Sequence, residues 1–309
     1  MVNNILYQVV HAFWYLISLL PFRVIYLLSD GMYVLVYHIA RYRRGVVRRN
    51  LVSSFPEKSH DEIMEIEHGF YHYFCDYVGE TIKMASMSPE EMAEHMQFEN
   101  TEEIERSFAE GKSVAYYLGH YGNWEWISSM PMHFAPDIQF AQIYHVLYNK
   151  VADRLFLQNR EHFGAKSVSM KNTLRQLIRW HSEGKMTITG FISDQAPKWQ
   201  SIHHWLPFLN HDTPVFTGTE QIARKLGYAV YYGDVRRISR GYYVCRSVKM
   251  TDDARHCAEF ELTERYMQLL EETIRRAPAF WLWSHNRWKR THEEFNRRFP
   301  DAAKREELK

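Results

Sequence analysis

The sequence predicts an α/β fold, a mixed sheet flanked by helices, with an N-terminal membrane-anchoring helix in front of it. Three observations carry this expectation. No charged side chain precedes Arg23, short β-rich runs alternate with helical ones from about residue 98, and 46% hydrophobic with 15% aromatic residues in 309 is enough for a sizeable core.

The elements follow in chain order. Residues 5–20, ILYQVVHAFWYLISLL, stop at Pro21. Residues 24–40, VIYLLSDGMYVLVYHIA, carry one acid, Asp30, and RYRRGVVRR then brings five arginines in nine residues. A bilayer span takes about 20 apolar residues, and an acid at its centre costs about 2.5–3.5 kcal/mol. One span is therefore expected inside residues 5–27, with the second run amphipathic or interfacial. Basic flanks stay cytoplasmic, which assigns everything after residue 40 to the cytoplasmic side. A signal peptide would have a basic leading region and a small-residue cleavage site, and this sequence has neither. Residues 1–40 are read as an anchor with an interfacial segment, 41–97 as a helical cytoplasmic region, and 98–309 as the α/β catalytic region.

In 41–97, Ile63, Ile66, Phe70, Tyr73 and Phe74 recur at helical spacing behind Ser59 or Asp61 as N-cap. Strands are expected at 113–119 (SVAYYLG), 137–145, 186–193, 228–237 and 242–250. Between them lies a helix with Leu174, Leu177 and Ile178 on one face and Lys171, Arg175 and Arg179 beside it. A second, GTEQIARKLG, is closed by Gly227. Lys plus Arg (38) nearly cancels Asp plus Glu (37), so nothing global points to nucleic acid. Three cysteines without a C-x-x-C pair argue against a disulfide framework and a zinc ribbon, and no histidine spacing suits a metal.

The chemistry concentrates in YYLGHYGNWEW. His120 follows a strand directly, where open α/β sheets place their sites. Five residues along a helix rotate by about 500°, which leaves His120 and Glu125 about 140° apart on a continuous helix. Glu125 can reach the imidazole only across a strand-to-helix break, which Gly119 and Gly122 permit and Asn123 would cap. A carboxylate-held imidazole suits a general base. No G-x-S-x-G or nearby cysteine supplies a nucleophile, so the activated hydroxyl would be the substrate's own. A core histidine satisfied by a nearby acid gives the same spacing.

Further segments extend the pattern. RRNLVSSFPE, GHYGNWEW, LRQLIRWHSEGK, ISDQAP, LPFLNHDTPVFTGTEQIARKLGYAV and PAFWLWSHNRWK, taken in order, resemble the bacterial lipid A late acyltransferases, the lauroyl and myristoyl transferases of the lysophospholipid acyltransferase superfamily. The likeness spans nearly the whole chain, and PAFWLWSHNRWK (278–289) and TPVFTGTEQIARKLG are its most specific parts. It implies His120 as general base and Glu125 as its orienting acid. The acyl chain would pass from an acyl carrier protein thioester, with acyl-CoA left open as donor, to a hydroxyl of a lipid A precursor. No metal or other cofactor is implied, and the location would be the inner membrane with the catalytic region on the cytoplasmic side. Arg160 in NREHFG is the candidate for stabilising the oxyanion. Asp194 and Gln195 would line the site or meet the acceptor headgroup, and Asn123, Gly218 and Thr219 complete the expected substrate-binding set, with Phe216 and Gly218 shaping an acyl tunnel. Thr217 and Thr219 are also placed to cap a helix. The tryptophans and basic residues of WLWSHNRWKR suit a bilayer interface or an acidic partner. GHYGNWEW is richer in glycine and aromatics than the more aliphatic segment of the best-known lipid A enzymes. An amino-acid lipid, lysophospholipid or glycolipid is therefore the alternative acceptor, and a non-catalytic membrane-anchored binding protein is the rival outside enzymes.

Overall fold

The computed structural model describes residues 2–300, with side chains from residue 4. Its elements in chain order are α1 (Val2–Ser18), α2 (Phe22–Tyr33), α3 (Arg44–Ser54), α4 (His60–Lys83), α5 (Pro89–His95), β1 (Met96–Glu99), α6 (Thr101–Ala109) and β2 (Val114–Leu118). Then come β3 (Gln139–Tyr144), α7 (Lys150–Arg160), β4 (Lys166–Ser169), α8 (Thr173–Ser182), β5 (Thr187–Ile192), β6 (Trp205–Phe208) and β7 (His211–Pro214). The chain continues with α9 (Gly218–Leu226), β8 (Ala229–Ser239), β9 (Tyr242–Thr251), α10 (Glu261–Arg276) and α11 (His292–Arg298).

Seven strands form one sheet in the order β1-β9-β8-β2-β5-β3-β4, antiparallel only between β8 and β9, so the expected mixed sheet is present. β2 is central and all five of its residues, VAYYL, are buried, the continuous apolar run of a strand covered on both faces. β2 pairs in parallel with β5 on one side and β8 on the other. The carboxyl ends of β2, β3, β4, β5 and β8 therefore face the same way. Two four-residue strands, β1 and β4, are too short for periodicity to reveal. The β6–β7 hairpin turns on Leu209 and Asn210, both at positive φ (48° and 62°), without the Asn-Gly or Asp-Gly pair that advertises such turns.

The N-terminal region departs from the expected single span. α1 and α2 meet at a bend of 113° beside Pro21, and no single helix among the described residues is long and apolar enough to cross a membrane, although the bent pair together is. Pro21 lacks the N–H that would continue α1, so the apolar run breaks there. α2 buries Ile25, Ser29 and Tyr33 and leaves Val24, Leu27 and Leu28 exposed. The amphipathic reading of the second run thus fits the packing of α2. Asp30 does not sit alone in an apolar segment, because Arg240 at the β8–β9 turn donates to it at 2.6 Å. The arginine flank is partly spent inside the protein: Arg48 forks onto the buried Glu67 at 2.7 and 2.8 Å, and Arg44 lies 3.6 Å from the same carboxylate.

α4 begins with a full capping box, Ser59 and Glu62 exchanging bonds with each other's backbone N–H. It packs Phe70, Tyr71 and Tyr73 into the same core as the sheet. On α8 only Leu177 of the expected apolar face is buried. Leu174 and Ile178 stay 37% and 40% exposed, next to the basic stripe.

Candidate active site

β2 delivers His120 to the carboxyl edge of the sheet, and the following loop is held there by backbone bonds to the segment after α10. Gly122 N–H donates to Phe280 and Leu282 N–H donates to the His120 carbonyl. Tyr73 adds a hydroxyl bond to the Gly122 carbonyl at 2.6 Å. Both glycines are required. A Cβ on Gly119 would lie 2.6 Å from Leu270 Cδ1, and Gly122 adopts φ +57°, where a side chain would also press to 2.8 Å from Val235. The expected strand-to-helix break is present, but the helix that follows is 3₁₀, Trp126–His133, interrupted by Pro131.

The acid on the imidazole is Asp194, not Glu125. Asp194 Oδ1 lies 2.6 Å from His120 Nδ1, and Oδ2 accepts the His120 backbone N–H at 2.9 Å and the Trp281 indole N–H at 2.8 Å. The parallel register explains the pairing. Leu118 is opposite Ile192, and two residues on, the same offset sets His120 beside Asp194. Asp194 is 1% exposed, and burial alone would raise its carboxyl. The His120 charge and the three hydrogen bonds overcome this and bring it down to about 2. An ionised Asp194 makes Nδ1 the protonated nitrogen and leaves the Nε2 lone pair for chemistry. Nε2 faces the side-chain amide of Gln195 at 3.3 Å, the one neighbour a substrate hydroxyl would have to replace.

Glu125 is engaged elsewhere. Arg160 forks onto it with Nε and Nη2, both at 2.6 Å, and the Tyr77 hydroxyl donates at 3.3 Å. Burial opposes ionisation of Glu125, but the guanidinium charge outweighs it and holds the carboxyl below its ordinary range. The pair reaches His120 without a hydrogen bond, through the His120 charge, which also favours the ionised Glu125, and through packing: Tyr77 stacks on Trp124 at 4.1 Å, and the Trp124 ring meets the imidazole edge-on at 5.2 Å. Arg160, expected at the oxyanion, commits two of its nitrogens to Glu125, while Nη1 has no hydrogen bond among the described residues.

The remaining expected residues divide. Asn123 is fully buried. Its amide donates to the buried Glu80 and its side-chain oxygen accepts the Trp126 N–H at the start of the 3₁₀ helix, whose N-cap position is Glu125 and not Asn123, and the side chain is out of a substrate's reach. Thr219 bonds Ser193 next to Asp194 at 3.0 Å and is also buried, while Gly218 faces open space. Thr217 occupies the N-cap position of α9 without a cap bond to the helix backbone, and its hydroxyl accepts instead from the Gln221 side-chain amide at 3.3 Å. Two residues of the closing WLWSHNRWKR segment complete the surroundings of His120: Trp281, through Asp194, and His285. His285 Nε2 accepts the Ala196 N–H at 3.2 Å, and burial lowers its pKa to about 4, so the ring is neutral at pH 7. The bilayer-interface or acidic-partner setting expected for this segment does not describe Trp281 and Trp283, which are buried. Their density beside histidine and arginine was the available signal for the site.

An imidazole oriented by a buried carboxylate at a sheet edge, with no Ser, Thr or Cys side chain bonded to it among the described residues, is equipped to deprotonate a hydroxyl brought by a substrate. No curated protein matches the chain. A family model, bacterial lipid A biosynthesis acyltransferase, matches residues 2–290, the span that holds α1 through the whole constellation around His120. The chain belongs to the bacterial lipid A biosynthesis acyltransferase family, and acyl transfer to a lipid acceptor is its chemistry.

Proposed function

We propose that this acyltransferase works at the cytoplasmic face of the inner membrane, moving a fatty acyl chain from acyl carrier protein to a hydroxyl of a lipid A precursor, with His120 as general base. The observation that carries the mechanism is the Nδ1–Asp194 pairing, which leaves Nε2 available at a partly exposed edge of the sheet.

The hydroxyl gives its proton to His120 Nε2 as its oxygen attacks the thioester carbonyl, and Asp194 balances the imidazolium that forms. Arg160 Nη1 is the donor available to the developing oxyanion, and Glu125 holds that guanidinium in place. Collapse breaks the carbon–sulfur bond, the thiolate takes the proton back from Nε2, and an ester and a free carrier thiol result. Glu125 is then a positioning residue that acts through Arg160 and the Tyr77–Trp124 stack.

Two surfaces support delivery from a membrane and a carrier. α1 exposes Ile5, Leu6, Val9, Phe13 and Leu16, and packs on α7 through Trp14 against Phe156 and Arg154 over Tyr7. α7 starts beyond the carboxyl end of β3, near the loop that exposes Val146, Leu147 and Tyr148. That apolar surface borders the sheet edge on which His120 opens, and it suits interfacial seating in a bilayer. Arg175 and Arg179 lie on α8, and Lys171 in the 3₁₀ turn (Met170–Asn172) that leads into it from the carboxyl end of β4 on the same edge. They match an acidic carrier protein.

The test is transfer from acyl carrier thioester by the full-length protein in lipid vesicles. The acceptors are a lipid A precursor, an amino-acid lipid, a lysophospholipid and a glycolipid, and acyl-CoA is a second donor. Preferred acylation of the lipid A precursor from the carrier thioester, with His120→Ala slower by at least about 10²-fold, is expected. Equal turnover by His120→Ala would refute the mechanism, and preference for another acceptor would reassign the substrate.

A further inference from the structure

We propose that Arg287 and Arg290 form an anion subsite next to His120 that binds the oxygens of a substrate phosphate. This rests on the acyl-transfer reading and adds to it a chemical requirement on one of the two substrates.

Arg287 is the most deeply buried cation among the described residues, at 0% exposure. Its Nη2 donates to the Pro214 carbonyl on β7 at 2.7 Å, but Nε and Nη1 are buried and have no hydrogen-bond partner among the described residues. Buried guanidinium N–H groups without acceptors are costly, because each charged donor has given up its hydration without gaining a partner. A protein keeps such a group where something absent from the free chain supplies the acceptor. Arg290, half-buried, repeats the pattern with Nε and Nη1 both unpartnered. Its guanidinium lies over Trp199, which it shares with Arg298 on the same indole.

The charge balance points the same way. Lys289 feels the like charges of Arg290 and Arg43, and Arg290 that of Arg298. Burial first, with the like charge of Arg290 adding to it and Asp194 opposing, lowers Arg287 to about 10, so it stays charged at pH 7. The carboxylate whose charge Arg287 feels is Asp194, whose oxygens are already committed to His120 and Trp281. The segment runs from His285, bonded to Ala196 behind Gln195, to Trp288, bonded to Thr213. It therefore lies between the hydroxyl-activating imidazole and the β6–β7 hairpin.

The uncommitted donors of two planar guanidinium groups suit a phosphate, which offers several strong acceptors to forked N–H pairs. Residues 284–291 lie outside any helix or strand, so the anion can be admitted to Arg287 by adjustment of a loop. A phosphate could arrive on the acceptor headgroup or on the phosphodiester of the carrier's prosthetic arm. The two sources predict different kinetics.

The experiment measures KM for each substrate with wild type, Arg290→Gln and the charge-preserving Arg287→Lys. Acceptors are used with and without a headgroup phosphate. A headgroup subsite raises KM for the phosphorylated acceptor by about ten-fold in Arg290→Gln, the effect of one lost charge-assisted hydrogen bond, and leaves the dephosphorylated acceptor unaffected. A carrier subsite raises KM for the thioester instead. Unchanged KM for both substrates overturns the subsite. Thermal unfolding in inorganic phosphate against chloride at equal ionic strength reads the subsite without turnover. Phosphate is expected to raise the Tm of wild type and not of Arg290→Gln, and identical responses would overturn the proposal even if acyl transfer itself failed.

Discussion

Replacing Asp194 by asparagine changes one atom and inverts the logic of the site. Oδ2 accepts two N–H groups, from the His120 backbone and the Trp281 indole, so the asparagine oxygen stays on that side. Its NH₂ then faces Nδ1, where Oδ1 had been at 2.6 Å. Two donors cannot share that contact, so Nδ1 gives up its proton, Nε2 takes one, and no lone pair remains for the substrate hydroxyl. The corresponding tautomer inversion in Ser-His-Asp enzymes costs about 10⁴ in kcat. The expected loss here is about 10³–10⁴, near the upper end for a general base.

The stability effect is separable from this. Asp194 titrates at about 2 instead of 3.8, and that lowering is worth on the order of 2 kcal/mol of folding free energy at pH 7. Because the folded pKa is depressed, this contribution is fully present above pH 4 and is lost as pH falls toward 2. Asp194→Asn should therefore melt a few degrees lower at pH 7 and remain folded at 25 °C, with the difference from wild type shrinking between pH 4 and 2. The assay is single-turnover ester formation followed by mass spectrometry, with near-ultraviolet circular dichroism as the control for folding. Turnover within ten-fold of wild type in a folded Asp194→Asn protein would refute the assignment of Asp194 as the orienting acid.

Glu125→Gln leaves the Arg160 guanidinium without its buried counter-ion, so it should lower stability by about 3 kcal/mol, measured by urea unfolding. Its turnover should fall less than that of Asp194→Asn, and the reverse order would restore Glu125 to the imidazole. Gly119→Ala drives a methyl to 2.6 Å from Leu270 Cδ1 and should cost about 1–3 kcal/mol along with displacement of His120. Adding Leu270→Val should recover part of both, and no recovery would mean that the close approach is not the cause. Val9→Asp with Phe13→Asp, on side chains 62% and 65% exposed, should abolish co-flotation with lipid vesicles, and retained flotation would count against seating of α1 in the bilayer.

The parts of the site that were legible in the sequence are those that local geometry determines. The run SVAYYLG followed by histidine located His120 at a strand end, and the 140° argument required the break that the glycines provide. The identity of the acid was out of reach, because it depends on β2 lying next to β5 in a parallel register that no local pattern encodes. Asp194 was recognisable as a strand-end acid near the site, but 74 residues separate it from the ring it holds. Arg160 and Glu125 were both legible as candidates, but their mutual pairing across 35 residues is equally non-local. In the N-terminal region hydropathy identified the apolar run and Pro21 its end. Pro21 permits the break, but the bend of 113° accompanies α2 docking on α4, with Asp30 drawn to Arg240, contacts that hydropathy does not encode.

In the proposed function His120 is the general base for acyl transfer to the hydroxyl of a membrane lipid. The most direct measurement is mass spectrometry of membrane lipids from cells lacking the protein, complemented with wild type or with His120→Ala. The account predicts a lipid A species short of one acyl ester in the deletion, restored by wild type and not by His120→Ala. An unchanged lipid profile in the deletion, or full restoration by His120→Ala, would contradict it.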